Sequence, residues 1–199
     1  MAIDRGLAIT CTDLQRTGGI STICLRTTLT GDIVTYDSTA DTHAITNIKK
    51  AGPADATDWA VFEFKQETPV MSIAATKENG STVFECSLSF YLPLMNSSKF
   101  EALQTMLNTC MMGIVTDTNG NNYVLGISQK YNADINAPFK NQTFLNLSGM
   151  EGSTGAAFSE ENGITVTLMS RQFELPRLYT GTLTISEVGS TGVGTATTS

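Results

Sequence analysis

The stretch Thr76 to Phe90, TKENGSTVFECSLSF, constrains this chain more than any other. Asn79 and Gly80 suit the two positive-φ positions of a type I′ turn, whose twist matches the strands that it joins. After the turn, Thr82, Phe84, Cys86, Leu88 and Phe90 fall on one face of an extended chain, and Val83, Glu85, Ser87 and Ser89 on the other. A period of two sustained over so many residues predicts a long strand with one face in a core and one facing outward.

The rest of the chain is punctuated in the same way, by turn residues at short intervals. Strands are predicted over Ser21 to Arg26, Ile33 to Tyr36, His43 to Ile48, Trp59 to Gln66, Val70 to Lys77, Thr82 to Leu92, Gly113 to Asp117, Tyr123 to Ser128, Phe144 to Met150, Ile164 to Ser170 and Gly181 to Val188. Asn-Gly pairs at Asn79, Asn119 and Asn162 mark tight turns. One helix interrupts the pattern. Ser98 and Glu101 form an S-x-x-E capping box, after which Phe100, Leu103, Met106, Leu107 and Cys110 share one side. The expected fold is mainly β: an antiparallel β-sandwich or barrel with one short amphipathic helix packed on the sheet.

With 199 residues the chain is read as a single domain over 1–188, with an N-terminal arm of about 20 residues and a flexible tail over 189–199. A chain of this size buries roughly 70% of its unfolded surface, so it needs no cross-links to fold. No apolar run approaches the ~20 residues that cross a bilayer, and no basic segment followed by an apolar one suggests a secretory signal. Cys11, Cys24, Cys86 and Cys110 are widely spaced and have no histidine neighbour, which reads as free thiols rather than metal ligands. The stretches Asp37 to Asp58, Gln129 to Thr143 and Glu151 to Asn162 are long for connections and poor in charge, which suits contact surfaces.

Chemistry is sparse. His43 is the single histidine, so any Ser-His-Asp or Cys-His scheme depends on it, and its neighbours carry no signature. Asp117, Asn119 and Asn121 alternate like the start of a calcium loop, yet the glycine falls at Gly120 and the twelfth position is Ser128, so a β-turn explains them better. The tail glycines Gly189, Gly192 and Gly194 lack the lysine and the helix of a phosphate loop. Asn96, Asn141 and Asn146 begin glycosylation sequons, which carry no weight without a secretory route. Glu63, Glu67, Glu85 and Asp117 have no spacing that makes two of them converge, and Trp59 is the one tryptophan for a sugar platform. The expectation is a protein that is not an enzyme and carries no cofactor and no metal.

The order of long hairpin, short capped helix and second hairpin, WAVFEFKQETPVMSIAATKENGSTVFECSLSFYLP, then SSKFEALQTML, then MGIVTDTNGNNYVLG, resembles tail tube proteins of tailed bacteriophages and related injection systems. The opening CTDLQRTGGISTICL is similar to that of virion proteins from phages of Bacteroidota. The resemblance implies a homo-oligomer of stacked hexameric rings whose pooled strands form an inner barrel, with other tail proteins as partners, and no membrane. DNA would pass through the lumen without specific binding. It further implies assembly in the host cytoplasm and residence in the virion tail.

On this reading Glu63, Ser72, Glu85 and Ser87 face the lumen, and Glu78, Asn79 and Gly80 make ring-to-ring contacts, with Asp37 to Asp58 and the tail from Gly189 as further candidates. The net charge of −7, from 19 acidic and 12 basic residues, suits a conduit that phosphate slides past better than a DNA binder. Two alternatives use the same elements: a head-to-tail connector or tail hub ring, and an immunoglobulin-like capsid decoration or adhesin domain.

Overall fold

The computed structural model describes residues 18–28, 32–38, 43–49, 59–128, 143–157, 159–186 and 196–197. Thirteen strands and one helix are found among them. They form two sheets, predominantly antiparallel, packed together in a sandwich-like arrangement.

The smaller sheet holds the hairpin on which the sequence turns. Its strands are β5 (Val70–Glu78), β6 (Ser81–Pro93), β9 (Asn146–Ser153) and β10 (Gly163–Gln172), in the order β5-β6-β10-β9, every neighbour antiparallel. Asn79 and Gly80 have φ of 48° and 82°, as a type I′ turn requires. The expected alternation on β6 is observed, with Cys86, Leu88, Phe90 and Leu92 buried. Ile164, Val166 and Leu168 of β10 join them.

The larger sheet contains β1 (Ile20–Thr27), β2 (Ile33–Tyr36), β3 (Ala44–Lys49), β4 (Trp59–Phe62), β7 (Met111–Asp117), β8 (Asn122–Leu125), β11 (Arg177–Tyr179), β12 (Thr184–Ser186) and β13 (Ala196–Thr197). Their order is β13-β12-β4-β1-β7-β8-β11-β3-β2. Ile23, Leu25, Met111, Val115 and Leu125 face the smaller sheet. The opposite side of the same strands builds a second core from Cys24, Met112, Ile114, Val124, Ile45, Ile48, Trp59 and Tyr179. β1 is accordingly buried on both faces from Ile23 to Arg26.

This second core exists because the large sheet curls. β1 and β2 are five strands apart, roughly 24 Å in a flat sheet. Yet Arg26 of β1 and Asp32, one residue before β2, form a buried ion pair at 2.6 Å, and the Arg26 guanidinium lies 5.8 Å from the centre of the Trp59 ring. Only a strongly bent sheet brings those side chains together. Gly126, just after β8, sits where the chain passes the Met111–Leu145 bridge at φ 87°; a Cβ there would lie 2.9 Å from both Leu145 N and Met111 O.

Several sequence expectations are corrected. The strand expected over Trp59 to Gln66 ends at Phe62 and pairs with β1. Glu63 to Pro69 cross to the smaller sheet, with Glu67 at φ 62° and Thr68 Oγ1 donating to Lys65 O at 2.6 Å. Asn96, not Ser98, caps helix α1 (Ser97–Met106), its side chain accepting from Lys99 N; Ser98 Oγ donates to Asn96 Oδ1 instead of closing a box with Glu101. Leu103 and Met106 anchor the helix in the core, whereas Phe100 and Leu107 are about half exposed. Asn162-Gly163 is no turn: Gly163 opens β10, while Asn162 accepts from Leu94 N and Met95 N. Glu151 to Ser153, expected in a loop, extend β9. Residues 1–17 of the expected arm, most of the expected tail, and 39–42, 50–58 and 129–142 of the expected long connections lie outside the described residues. Within the tail, Ala196–Thr197 pair with β12.

Candidate functional surface

Among the described residues, no layer covers one face of the smaller sheet. Ser72, Ala74 and Thr76 of β5 lie beside Ser87, Glu85 and Val83 of β6; then come Met169, Arg171, Thr167 and Thr165 of β10, and Asn146, Gly149 and Glu151 of β9. Small and hydroxylated side chains are common on it because β6 and β10 place Leu88, Leu92, Ile164, Val166 and Leu168 on the other face; Val83, Tyr91 and Met169 are its larger members. Ser72 and Ser87 are direct cross-strand partners, with hydroxyl oxygens 2.8 Å apart.

The charge on this face is partly cancelled. Arg171, opposite Glu85 in the ladder, donates from Nε and Nη2 to one Glu85 carboxylate oxygen at 2.9 and 2.7 Å. Glu151 of β9 is a further charged residue of the face. Ser72, Glu85 and Ser87 are thus brought together as the sequence suggested. Glu63 is not: it follows β4 on the larger sheet, on the exposed crossing segment. Arg171, which the alternation of β10 places next to Glu85, was missed, although Thr165, Thr167, Met169 and Arg171 carry the same period of two.

Among the described residues, β5 and β9 each have one hydrogen-bonded neighbour, on one side, along nine and eight residues. The strands are also offset. From β5 through β6 and β10 to β9 the midpoints slide by about one and a half residues per strand, close to 5 Å of slip for each ~4.8 Å step. Such slip corresponds to strands inclined at roughly 45°, near the 35–45° tilt of closed barrels. At the end of the hairpin, Asn79 and Gly80 are exposed; Glu78 is the last residue of β5, paired with Ser81.

The other residues singled out for chemistry have structural duties. Asp117 closes the β7–β8 turn, its Oδ1 accepting from Asn119 N and Asn121 N at 2.9 and 2.8 Å and Oδ2 from Asn121 Nδ2 at 2.8 Å. Burial works to raise its pKa, but the hydrogen bonds from Asn121 and Asn119 prevail and hold the carboxyl below its ordinary value. A recess between the sheets has this carboxylate on its wall, beside Ile20, Val70, Val115 and Tyr123, with its lone pairs already committed to the turn. The exposed His43 ring bonds through Nε2 to Leu175 O at 2.8 Å, tying the start of β3 to the segment before β11. Cys24 and Cys86 are buried free thiols, in different cores, and burial pushes both up to about 11. Among the described residues no group of His, Cys, Asp and Glu has a metal-binding arrangement, and no helix is long and apolar enough to cross a membrane.

Fold and surface define a mainly β, sandwich-like protein whose four-stranded antiparallel sheet has, among the described residues, one uncovered polar face and two edges without a partner strand. No protein-family model matches the chain, and neither a curated protein nor a solved structure matches it.

Proposed function

We propose that the chain is a self-assembling virion structural protein, a bacteriophage tail tube subunit, and not an enzyme. Its rings, hexameric in the resembled family, stack into a conduit with the bare face of the four-stranded sheet as the wall. The observation that carries this reading is the offset of β5, β6, β10 and β9 between two edges that have no partner strand among the described residues. A sheet with this slip and this strand order is an arc of a barrel, and copies related by rotation complete it.

The chemistry of the wall agrees with passage rather than binding. DNA phosphate gains affinity from free cations, which release counterions. Here the Arg171 guanidinium is held by Glu85, and the neighbouring positions are Ser72, Ser87, Thr165 and Thr167. The face is hydroxylated and weakly charged, less acidic than the sequence suggested, because Arg171 offsets Glu85 and Glu63 lies elsewhere. The exposed Asn79-Gly80 turn projects from one end of the arc, where the next ring would stack.

Light scattering on the purified protein, with negative-stain imaging of the same fractions, tests the reading. Rings or tubes with a central channel are expected. A monomer that stays monodisperse at every concentration and in the presence of preformed tail complexes would overturn it and favour a decoration or adhesin domain.

A further inference from the structure

We infer that Asn79 is a site of spontaneous modification: of the three Asn-Gly pairs, it is the one at which the folded chain closes a succinimide and opens it to aspartate or isoaspartate. The subunit reading is not needed for this, since the chemistry belongs to the single chain.

Water is the only co-reactant. The Gly80 amide nitrogen gives up its proton and bonds to Cγ of the Asn79 side chain; the Cγ–Nδ2 bond breaks, and ammonia leaves with that proton. Water then adds to the ring at either of its carbonyls, which leaves an aspartyl or an isoaspartyl residue and one new negative charge. Glycine favours the first step because no Cβ shields the attacking nitrogen. By sequence Asn79, Asn119 and Asn162 are therefore equal candidates. The fold separates them.

Ring closure needs an amide nitrogen free of hydrogen bonds and a backbone that can rotate until nitrogen and side chain meet. At Asn119 both are denied. Gly120 N donates to Asp117 O at 3.1 Å, and Asp117 Oδ1 accepts from Asn119 N and Asn121 N at 2.9 and 2.8 Å. The same carboxylate opposes loss of a proton from an amide beside it. At Asn162 the side chain is tied, Oδ1 accepting from Met95 N at 3.2 Å while the backbone carbonyl accepts from Leu94 N at 2.7 Å. Gly163 is buried in β10, paired with Pro93 of β6 on one side and Ser153 of β9 on the other.

Asn79 differs at each point. Glu78 and Ser81 are the paired residues that flank the turn, so its hydrogen bond uses Ser81 N and leaves Gly80 N outside it. Both turn residues are exposed, and a Cβ on Gly80 would meet nothing within 4 Å among the described residues. The β10–β6 ladder ends at Phe84. Beyond it β5 and β6 run on as a two-stranded tip, exposed from Ala74 to Lys77 and from Asn79 to Thr82. Two strands without a third open locally at low cost, which lets the Asn79 backbone leave its left-handed conformation.

The product remodels the turn. Isoaspartate carries the main chain through its side-chain carbon, and the added backbone atom breaks the two-residue type I′ geometry that φ of 48° and 82° define.

The test follows the full chain, diluted until light scattering shows monomer, through incubation at mildly alkaline pH. Peptide mass mapping counts the amide-to-acid conversion at each pair, with a sample in denaturant as reference. All three pairs are expected to convert at similar rates in denaturant. In the folded chain Asn79 is expected to convert at least about tenfold faster than Asn119 and Asn162, the ratio set by ~1.4 kcal/mol of barrier. Asn79→Gly, whose Gly-Gly turn suits type I′ geometry, is expected to lose the acidic form that ion-exchange chromatography resolves in the parent. Asn119 or Asn162 converting as fast as Asn79, or an acidic form accumulating at the parental rate in Asn79→Gly, would overturn the assignment. So would a folded chain that stays unmodified while the denatured reference converts.

Discussion

Arg171 and Glu85 face each other across the β10–β6 ladder, and one carboxylate oxygen receives both guanidinium hydrogen bonds. The Arg171 side chain is 66% exposed, so solvent screens most of the attraction. Arg171→Ala is expected to cost ~0–1 kcal/mol, read as a small downward shift in thermal melting, and to leave the fold intact by circular dichroism. A loss above about 2 kcal/mol would mean the pair holds the sheet rather than setting the charge of its face.

The interior ion pair behaves differently. Arg26 and Asp32 are 3% and 0% exposed, and they join strands at distant positions of the curled sheet. Asp32→Ala leaves a buried cation with its partner removed and is expected to cost ~3–5 kcal/mol in chemical denaturation. Fluorescence of Trp59, the chain's one tryptophan, should shift in the folded variant, because the guanidinium lies over its ring.

Helix α1 separates two kinds of apolar residue. Leu103 is 2% exposed within the sandwich core, so Leu103→Ala is expected to lose ~2–5 kcal/mol. Phe100→Ser, at a position 48% exposed, should stay within about 0.5–1 kcal/mol of the parent. Equal losses in paired melts would contradict this placement.

Asp117 makes stability depend on acid. Its folded pKa lies below the ordinary 3.8, so its contribution is complete above that value and is lost as pH falls through the lower folded value. Asp117→Asn should therefore flatten the acid limb of the stability curve and leave the neutral-to-alkaline limb parallel to the parent. An unchanged acid limb would assign the sensitivity to other carboxylates.

Gly126 is held at φ 87° with backbone atoms on either side of the missing side chain. Gly126→Ala adds left-handed strain to contact with atoms that cannot rotate away, and a loss of ~2–4 kcal/mol is expected in thermal denaturation. Gly80→Ala, at φ 82° with open space around it, should lose only the conformational part, ~1–2 kcal/mol.

Local alternation made the small sheet legible: β5, β6 and β10 each write their two faces in residues two apart, and Asn79-Gly80 names its turn. The larger sheet was harder to read. β1 and β7 are buried on both sides, so Ile23 to Arg26 and Met111 to Val115 show no alternation of burial to reveal which core each residue enters. β11 is three residues long and held by neighbours far away in sequence, a parallel one among them, so Arg177 to Tyr179 carry no strand signal. Glu63 was misplaced because FEFK alternates like a strand while the backbone is crossing between sheets. The Ser98–Glu101 motif misled for a related reason: Asn96, two residues earlier, is an equally good cap and follows Pro93 and Leu94 more closely. As for the candidate surface, composition gave its polarity, but the Arg171–Glu85 pairing depends on the register between strands that 69 intervening residues separate.

The two buried thiols stand as sentries in separate rooms of the molecule. Cys86 belongs to the core between the sheets and Cys24 to the core inside the curl. An alkylating reagent can reach neither until its own compartment opens, so the order in which the two sulfurs are labelled is a clock for disassembly. Simultaneous labelling means that the chain opens as one body; earlier labelling of Cys24 means that the curl breathes while the core between the sheets stays closed.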